Sequence, residues 1–186
     1  MNSLTSTRIL VVVLLLTVSA LVVAGYVPPQ ATKKGGKLLQ IEGRVTVNGT
    51  AAISGATVFS DNTITTAARS SAVVSLGKLG RVEVLPDTNM KLSFGDSDVS
   101  VSMLDAGRVR ISSSSNVTAK FTTNDGQIIS TGNQRNEFTV DTSCGNTFVA
   151  VKKGTVELRA GSTVKQIAAG NQDSAGTARP GCTPAG

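Results

Sequence analysis

The chain has 186 residues, of which 40% are apolar, 3% are aromatic and none is histidine. Its net charge of +6 permits contact with anionic surfaces, but the charges are scattered and few aromatic side chains could stack on bases, which argues against nucleic-acid binding. The absence of histidine removes the commonest general base and metal ligand and excludes Ser-His and Cys-His nucleophile pairs.

An apolar segment dominates the amino-terminal part of the chain. A short region, residues 1–8, precedes it, and residues 9–27 form the apolar run, which Pro28 and Pro29 end. At 1.5 Å per residue a helix of this length extends about 28 Å, close to a bilayer core of about 30 Å. We therefore predict one hydrophobic helix, either a transmembrane anchor or a signal peptide with a small-residue cleavage site at 22–24.

Charges on the two sides of this run bear on its orientation. Arg8 precedes it, whereas Lys33, Lys34 and Lys37 follow it, and a count of nearby positive charges would keep the carboxy-terminal side in the cytoplasm. Long domains, however, translocate largely regardless of such charges. We expect a single-pass inner-membrane protein with a periplasmic domain, or a secreted or periplasmic protein if the segment is cleaved.

The rest of the chain has the pattern of a β domain. Residues 28–37 have the composition of a linker, residues 38–172 form the predicted domain, and the small polar residues 173–186 predict a flexible tail. Asn48-Gly49 is a hairpin turn signal. Strand patterns occur at 38–41, 45–47, 56–59, 63–66, 72–76, 82–85, 90–94, 99–103, 109–111, 117–121, 127–130, 137–140, 148–151, 156–158 and 164–167.

One short phrase recurs four times along this domain. It reads GRVTV (43–47), GRVEV (80–84), GRVRI (107–111) and GTVEL (154–158). Each copy is a turn residue followed by period-2 alternation, which is typical of a half-buried strand. The spacing of the copies is uneven, unlike that of a regular solenoid. We predict an all-β, rolled or stacked short-strand domain that is β-solenoid-like, with a two-sheet β-sandwich as the alternative.

These phrases and their surroundings, in this order, resemble the FecR protein domain, a bacterial periplasmic module best known from transmembrane regulators of iron-siderophore uptake. The resemblance covers about 38–172. It departs from the family at 131–136, where additional residues interrupt the family's pattern Gly-Thr-x-Phe-x-Val. The segments that carry it are GRVTV (43–47), ITTAARSSAVVSL (64–76), GRVEVLPDT (80–88), LDAGRV (104–109), EFTV (137–140), VKKGTV (151–156) and AGNQ (169–172).

The resemblance implies an envelope module for sensing, scaffolding or protein interaction. The family's regulators carry a cytoplasmic segment that handles a sigma factor, but only about eight residues precede the apolar run here, so we expect no sigma-regulatory role. The alternatives are a surface filament (pilin-like) subunit and an envelope-glycan-binding protein. An enzyme acting on envelope polymer is disfavoured because neither histidine nor a paired-carboxylate motif is present.

Two cysteines form the first candidate site. Cys144 is predicted at the tip of a hairpin and Cys182 in the tail. In an oxidising compartment a disulfide between them would clip the tail to the domain and contribute about 4 kcal/mol through loop entropy. The alternatives are two free thiols or a catalytic cysteine, and the latter would lack a histidine to activate it.

Four arginines form the second candidate site. In each phrase the valine and the residue two positions later are predicted to face inward, so Arg44, Arg81, Arg108 and Arg110 face outward. If the repeat strands stack, these side chains would form a basic ribbon for an anionic envelope polymer or a protein partner. The alternative is a solvated face that discourages aggregation at sheet edges.

Three other motifs are weaker. Ser75–Lys78 and Ser162–Lys165 match Ser-x-x-Lys, but the pattern puts both on a strand or turn rather than on the helical turn that this chemistry needs. Asp96-Ser97-Asp98 could bind calcium, but the further acidic positions of an EF-hand loop are missing. We therefore predict no catalytic residues, no metal site and no cofactor.

Overall fold

The computed structural model describes residues 34–184. The short region 1–8, the predicted hydrophobic helix 9–27 and most of the predicted linker lie outside these residues. Among the described residues, no helix has the length and apolarity that a membrane span requires.

The described part of the chain is all-β, which confirms the predicted fold class. A single 3-10 turn, Gly77–Leu79, accompanies the strands. In chain order the strands are β1 (Gly35–Glu42), β2 (Val45–Val47), β3 (Thr50–Ala51), β4 (Thr57–Phe59), β5 (Asn62–Thr66), β6 (Ser71–Ser75), β7 (Gly80–Val84), β8 (Thr88–Phe94), β9 (Asp98–Met103), β10 (Arg108–Ser113), β11 (Thr118–Thr122), β12 (Gln127–Ser130), β13 (Asn136–Asp141), β14 (Thr147–Lys153), β15 (Thr155–Ala160), β16 (Thr163–Ala168) and β17 (Gln172–Ala175).

These strands form two sheets. The first sheet has eight strands in the order β17-β14-β13-β10-β7-β6-β1-β4, and the second has nine in the order β16-β15-β12-β11-β9-β8-β5-β2-β3. The chain therefore passes repeatedly from one sheet to the other and, apart from its first strands, fills both in sequence order. Neighbouring strands are antiparallel, except for the parallel pair β9 and β11.

The repeated phrases do not form a single row of neighbouring strands. Strands β7 and β10 pair directly in the first sheet, whereas β2 and β15 belong to the second sheet and are not neighbours there. The two sheets share one hydrophobic core built mainly of Val, Ile, Leu and Ala. Its largest fully buried side chains include Phe121 and Phe138, and burial of a side chain of this kind contributes about 1.5–3 kcal/mol.

A hydrogen bond to a buried side chain recurs at three of the phrases. In each, the residue after the opening glycine donates its backbone N–H to a side-chain oxygen of a residue that is 3% exposed or less. The bonds run from Arg44 to Ser70 Oγ (2.9 Å), from Arg108 to Thr88 Oγ1 (2.9 Å) and from Thr155 to Asn136 Oδ1 (3.0 Å). Where a strand begins, these backbone N–H groups have no partner in a neighbouring strand, and the buried side-chain oxygens accept their hydrogen bonds instead.

The same contacts explain two of the glycines. Gly43 and Gly154 have φ angles of 69° and 81°, which disfavour other residues. A Cβ atom at Gly43 would overlap Ser70 Oγ, and one at Gly154 would overlap Asn136 Oδ1. At three of the four phrases the opening glycine therefore lies against a buried polar side chain just before the strand begins.

The β structure extends past both predicted bounds of the domain. Strand β1 begins at Gly35, inside the segment predicted as linker. Strand β17 lies almost entirely in the segment predicted as a flexible tail, and it pairs with β14 from Thr147↔Ala175 to Ala150↔Gln172. The predicted tail therefore needs correction, because its first residues complete the edge of the first sheet.

Candidate functional site

Arg81 and Arg110 lie on the outer face of the first sheet. They alternate with buried valines and isoleucine, as predicted. The antiparallel register of β7 and β10 places Arg110 opposite Glu83 and Arg81 opposite Ser112. Arg110 Nη1 lies 2.9 Å from Glu83 Oε2, so this part of the face carries a paired rather than a free positive charge.

Arg108 lies on the same face, opposite Asp141 of β13. Arg108 Nη1 is 4.0 Å from Asp141 Oδ2, and the Asp141 side chain is only 2% exposed. The Asp141 carboxylate also accepts a hydrogen bond from the Ser143 backbone N–H at 2.8 Å. A buried carboxylate thus lies beside the arginine, which reduces the positive potential of the face.

Glu137 adds a third carboxylate to this surface. Lys152 Nζ lies 3.0 Å and Lys153 Nζ 3.6 Å from the Glu137 carboxylate. The hydrogen bond from Lys152, opposed by partial burial, lowers the pKa of Glu137 below its usual value of 4.5, with smaller contributions from the charges of both lysines. The outer face of the first sheet therefore carries interspersed positive and negative charges.

The structure does not bring the four predicted arginines together. Arg81, Arg108 and Arg110 share the outer face of the first sheet, whereas Arg44 immediately precedes β2 of the second sheet. A single basic ribbon is absent from the described residues because the strands bearing the phrases are divided between two sheets and, where they pair, they are antiparallel.

The predicted disulfide between the two cysteines is confirmed. Cys144 lies in the turn between β13 and β14, and its Sγ is bonded to that of Cys182 at 2.04 Å. The Arg179 backbone N–H donates to the Cys144 carbonyl at 2.9 Å, and the Arg179 guanidinium donates to the Ser143 carbonyl. The tail is thereby held against the β13–β14 turn.

Two clefts lie beside this held tail. The first, of about 360 Å³, is lined by residues 103–106 and 123–125 and by Thr142, Gly145, Asn146 and Arg179. The second, of about 400 Å³, is lined by Arg108, Asp141 and Thr183, among others. Both clefts are built from loops at the ends of strands, where binding residues are commonly found.

Side chains in the first cleft are held by a short polar network. Thr147 Oγ1 lies 2.9 Å from Asp125 Oδ2 and 2.7 Å from Thr123 Oγ1. Asp105 accepts a hydrogen bond from Asn89 Nδ2 at 2.9 Å. These bonds fix the carboxylates that face the cleft, so the loops present a defined set of polar groups.

The weaker motifs lie elsewhere. Asp96 lies in the turn between β8 and β9 and pairs with Lys34, and Lys165 Nζ lies 2.8 Å from Asp173 Oδ1. Ser75 ends β6 and Lys78 lies in the 3-10 turn, while Lys165 of the second match lies in β16. Neither Ser-x-x-Lys match therefore lies on an α-helix. Within residues 34–184, no group of three His, Cys, Asp or Glu side chains could hold a metal ion.

No protein-family model matches the chain, and no curated protein is significantly similar to it. The resemblance to the FecR domain therefore stays a prediction. Sequence reasoning did not anticipate the first cleft, because its walls come from three loops and the tail. The only signals were polar turns such as 123–125, which are also found on ordinary solvated hairpins.

Proposed function

We propose that the protein is an exported, membrane-anchored β domain of the FecR type that acts without catalysis, as a sensing, scaffold or protein-interaction module of the cell envelope. The observation that carries this proposal is the disulfide between Cys144 and Cys182. Structural disulfides persist in oxidising compartments such as the periplasm and are rare in the cytosol. The predicted hydrophobic helix at 9–27 would supply the anchor, or a cleaved signal that releases the domain.

The strand order supports a rolled, stacked short-strand architecture as the finer description of the fold. Both sheets are filled nearly in chain order, as expected if each pass of the chain adds one layer along the domain. The two-sheet β-sandwich is the alternative. A stack of this kind presents a long outer face made of many short strands, which suits contact with a partner.

The charges on the outer face of the first sheet favour a protein partner over a polyanion. Arg110 is paired with Glu83, and Glu137 is paired with two lysines. Complementary charges of both signs give specificity and speed to protein association, whereas a uniform polymer of negative charge would meet repulsion at each carboxylate.

An envelope-glycan-binding role is the second candidate, and Arg81 favours it. Its side chain is exposed, and it has no ion pair with any of the residues 34–184. An exposed guanidinium can bind a carboxylate or phosphate with two hydrogen bonds. A pilin-like subunit has no comparable observation in its favour.

Two experiments test the proposal. A reporter enzyme that is active only after export should be active when it is fused to the carboxy terminus. A reporter enzyme that is active only in the cytoplasm should be inactive at the same position. The oxidised state of Cys144 and Cys182 should persist in cells, as measured by alkylation before and after reduction. A reporter active only in the cytoplasm would overturn the envelope location.

The contact role needs a separate test. A photo-crosslinking residue at Ser112, on the outer face of the first sheet, should capture a discrete partner in cells. The matched control at Ser100, on the outer face of the second sheet, should not. Arg81→Glu should abolish capture, while Arg44→Glu, which changes the same charge near the other sheet, should leave it intact. Equal capture from both faces would contradict the assignment of the partner to the first sheet.

A further inference from the structure

The chain enters the domain at one end of the first sheet, where Lys34 directly precedes β1. The register of that sheet brings further strand ends to the same end of the domain, namely the β6–β7 connection, the end of β10, the start of β13 and the end of β14. Backbone hydrogen bonds join the loops there, from Ser114 to the Leu79 carbonyl at 3.1 Å and from Thr118 to the Ser97 carbonyl at 3.0 Å. These loops form one continuous surface, which we call the entry end.

Exposed basic side chains line the first sheet at the entry end. They are Lys34 before β1, Lys78 between β6 and β7, Arg135 before β13, and Lys152 and Lys153 at the end of β14. We call this set the basic rim, and none of the four predicted arginines belongs to it. From β14 to β1 the sheet order crosses β13, β10, β7 and β6, so at about 4.8 Å per strand the rim extends over about 24 Å.

Three lysines of the basic rim share two carboxylates. Lys34 pairs with Asp96, and both Lys152 and Lys153 pair with Glu137, whose side chain is only 17% exposed. Because one carboxylate cannot neutralise two ammonium groups, the end of β14 keeps a positive charge in excess.

The other two members of the basic rim are unpaired. Lys78 and Arg135 have no ion pair with any of the residues 34–184. Two further carboxylates of the entry end lie beside the second sheet, since Asp61 precedes β5 and Asp98 begins β9. The positive charge is therefore concentrated on the first-sheet side of this end.

A groove at the entry end combines positive charge with apolar walls. It has a volume of about 240 Å³ and is lined by Lys34, Lys78, Leu76, Leu79 and Phe94, among others. The three apolar side chains are each between 5% and 8% exposed. Lysines beside apolar walls match the two parts of a phospholipid, its phosphate and its glycerol with the adjoining methylene groups.

The covalent connection keeps the entry end close to the predicted anchor. The predicted hydrophobic segment ends at residue 27, and residues 28–33 extend over about 20 Å at most. If residues 9–27 anchor the chain, as proposed above, the entry end is the part of the domain that stays nearest to the lipid phosphates. The surface potential of an anionic membrane falls off within a Debye length of about 8 Å, so the residues of this end are the ones that it attracts.

We propose that the basic rim docks the domain on the phosphate groups of anionic phospholipids, an inference that rests on the proposed membrane anchor. The lysines act as point charges, and Arg135 can bind a phosphate with two hydrogen bonds. Each basic residue near such a surface favours the docked state about fivefold. The docked domain turns its opposite end, with the disulfide-bonded tail, away from the bilayer.

Quenchers attached to lipid headgroups measure this docking. The full-length chain, with its disulfide intact, is reconstituted into vesicles of phosphatidylcholine alone or mixed with phosphatidylglycerol. A fluorophore is attached through Ser115→Cys in the entry end or through Ser162→Cys in the β15–β16 turn of the opposite end. With phosphatidylglycerol we expect stronger quenching at position 115 than at position 162. The difference should be smaller in phosphatidylcholine and should disappear in high salt, which screens surface charges.

Charge reversal locates the contact. Lys78→Glu combined with Arg135→Glu should lower the ratio of docked to undocked domain at least about tenfold. Arg44→Glu combined with Arg69→Glu makes the same change in charge at exposed residues of the opposite end and should leave quenching at position 115 unchanged. Thermal unfolding checks that each variant stays folded. Lys78→Gln combined with Arg135→Gln, which removes the charges without reversing them, should give an intermediate loss.

The outcomes distinguish the basic rim from the anchor. Quenching at position 115 that is equal in the two kinds of vesicle, or that the rim variants leave intact, would overturn the proposal. Tighter binding of soluble polygalacturonate than of phosphatidylglycerol vesicles, at equal charge, would overturn it in favour of an anionic glycan.

Failure of the anchor has a different signature. Release of the chain from phosphatidylcholine vesicles by alkaline carbonate would contradict the anchor. Salt-sensitive flotation of that chain with phosphatidylglycerol vesicles, lost in the rim variants, would still support the basic rim, and absence of such flotation would overturn the rim as well.

Discussion

Asn136 should be among the most sensitive positions of the domain. Its side chain is fully buried and makes three hydrogen bonds, donating to the Thr131 carbonyl at 2.8 Å and the Gln134 carbonyl at 2.9 Å and accepting from the Thr155 amide at 3.0 Å. Asn136→Ala removes all three. At about 1 kcal/mol each, the loss of unfolding free energy is about 3 kcal/mol.

This loss corresponds to a fall in Tm of about 6–12 °C for a domain of this size. Urea unfolding followed by far-ultraviolet circular dichroism measures the free energy directly. Asn136→Asp should be at least as damaging, because a carboxylate oxygen would replace the amide donor that faces two carbonyls. Asn133→Ala, an exposed change in the same loop, should stay within about 0.5 kcal/mol. A loss below about 1 kcal/mol for Asn136→Ala would refute the reasoning.

The remaining predictions concern the disulfide, the core and pH. Replacement of Cys144 and Cys182 by serine should cost about 4 kcal/mol, because the bond closes a chain separation of 38 residues; denaturant unfolding measures it. Phe138→Ala should cost about 3–5 kcal/mol by the same assay, because the ring is 1% exposed. The pKa of Glu137 is lowered chiefly by Lys152, so its contribution to stability is present above its usual pKa of 4.5 and is lost as pH falls through the lower folded value. Unfolding free energy measured against pH should show that loss.

Each of these predictions has its own control. Reductant should destabilise the natural protein but leave the double serine variant unchanged, and equal effects on both would argue against the disulfide. Phe59→Ala, at a ring that is 40% exposed, should cost much less than Phe138→Ala. Glu137→Gln should flatten the acid limb of the stability curve, and a limb as steep as before would assign it to other carboxylates.

Strands were the most predictable part of the fold. The alternation at 90–94, for example, matches β8, where every second side chain from Thr88 to Phe94 is buried. Asn48-Gly49 was predicted as a hairpin turn, and φ is 50° and 79° at these two residues, as the tight turn between β2 and β3 requires. Such signals are local, because burial on one face and backbone conformation act within a few residues.

The sequence pattern did not predict the edge strands β3 and β17, because these strands depend on their neighbours in the sheet. Thr50–Ala51 has only two residues, and β17 reads Gln-Asp-Ser-Ala, which is polar enough to predict a tail. Each is a strand because a neighbour offers unpaired backbone groups, β2 in the first case and β14 in the second. The strand propensity of a segment does not show which neighbouring strand will pair with it.

The amino-acid sequence by itself determined the class of the domain, the inward direction of the valines and the outward direction of the arginines, since period-2 alternation is a property of a single strand. Only the tertiary structure decided which arginines share a face and which groups meet in the cleft. Arg44 and Arg81 hold the same position in the repeated phrase but lie at different sheets. Asp125, Asn146 and Arg179, by contrast, line one cleft although they are far apart in the chain. Sheet pairing and the Cys144–Cys182 bond create those neighbourhoods, and both depend on contacts between distant segments that no local pattern encodes.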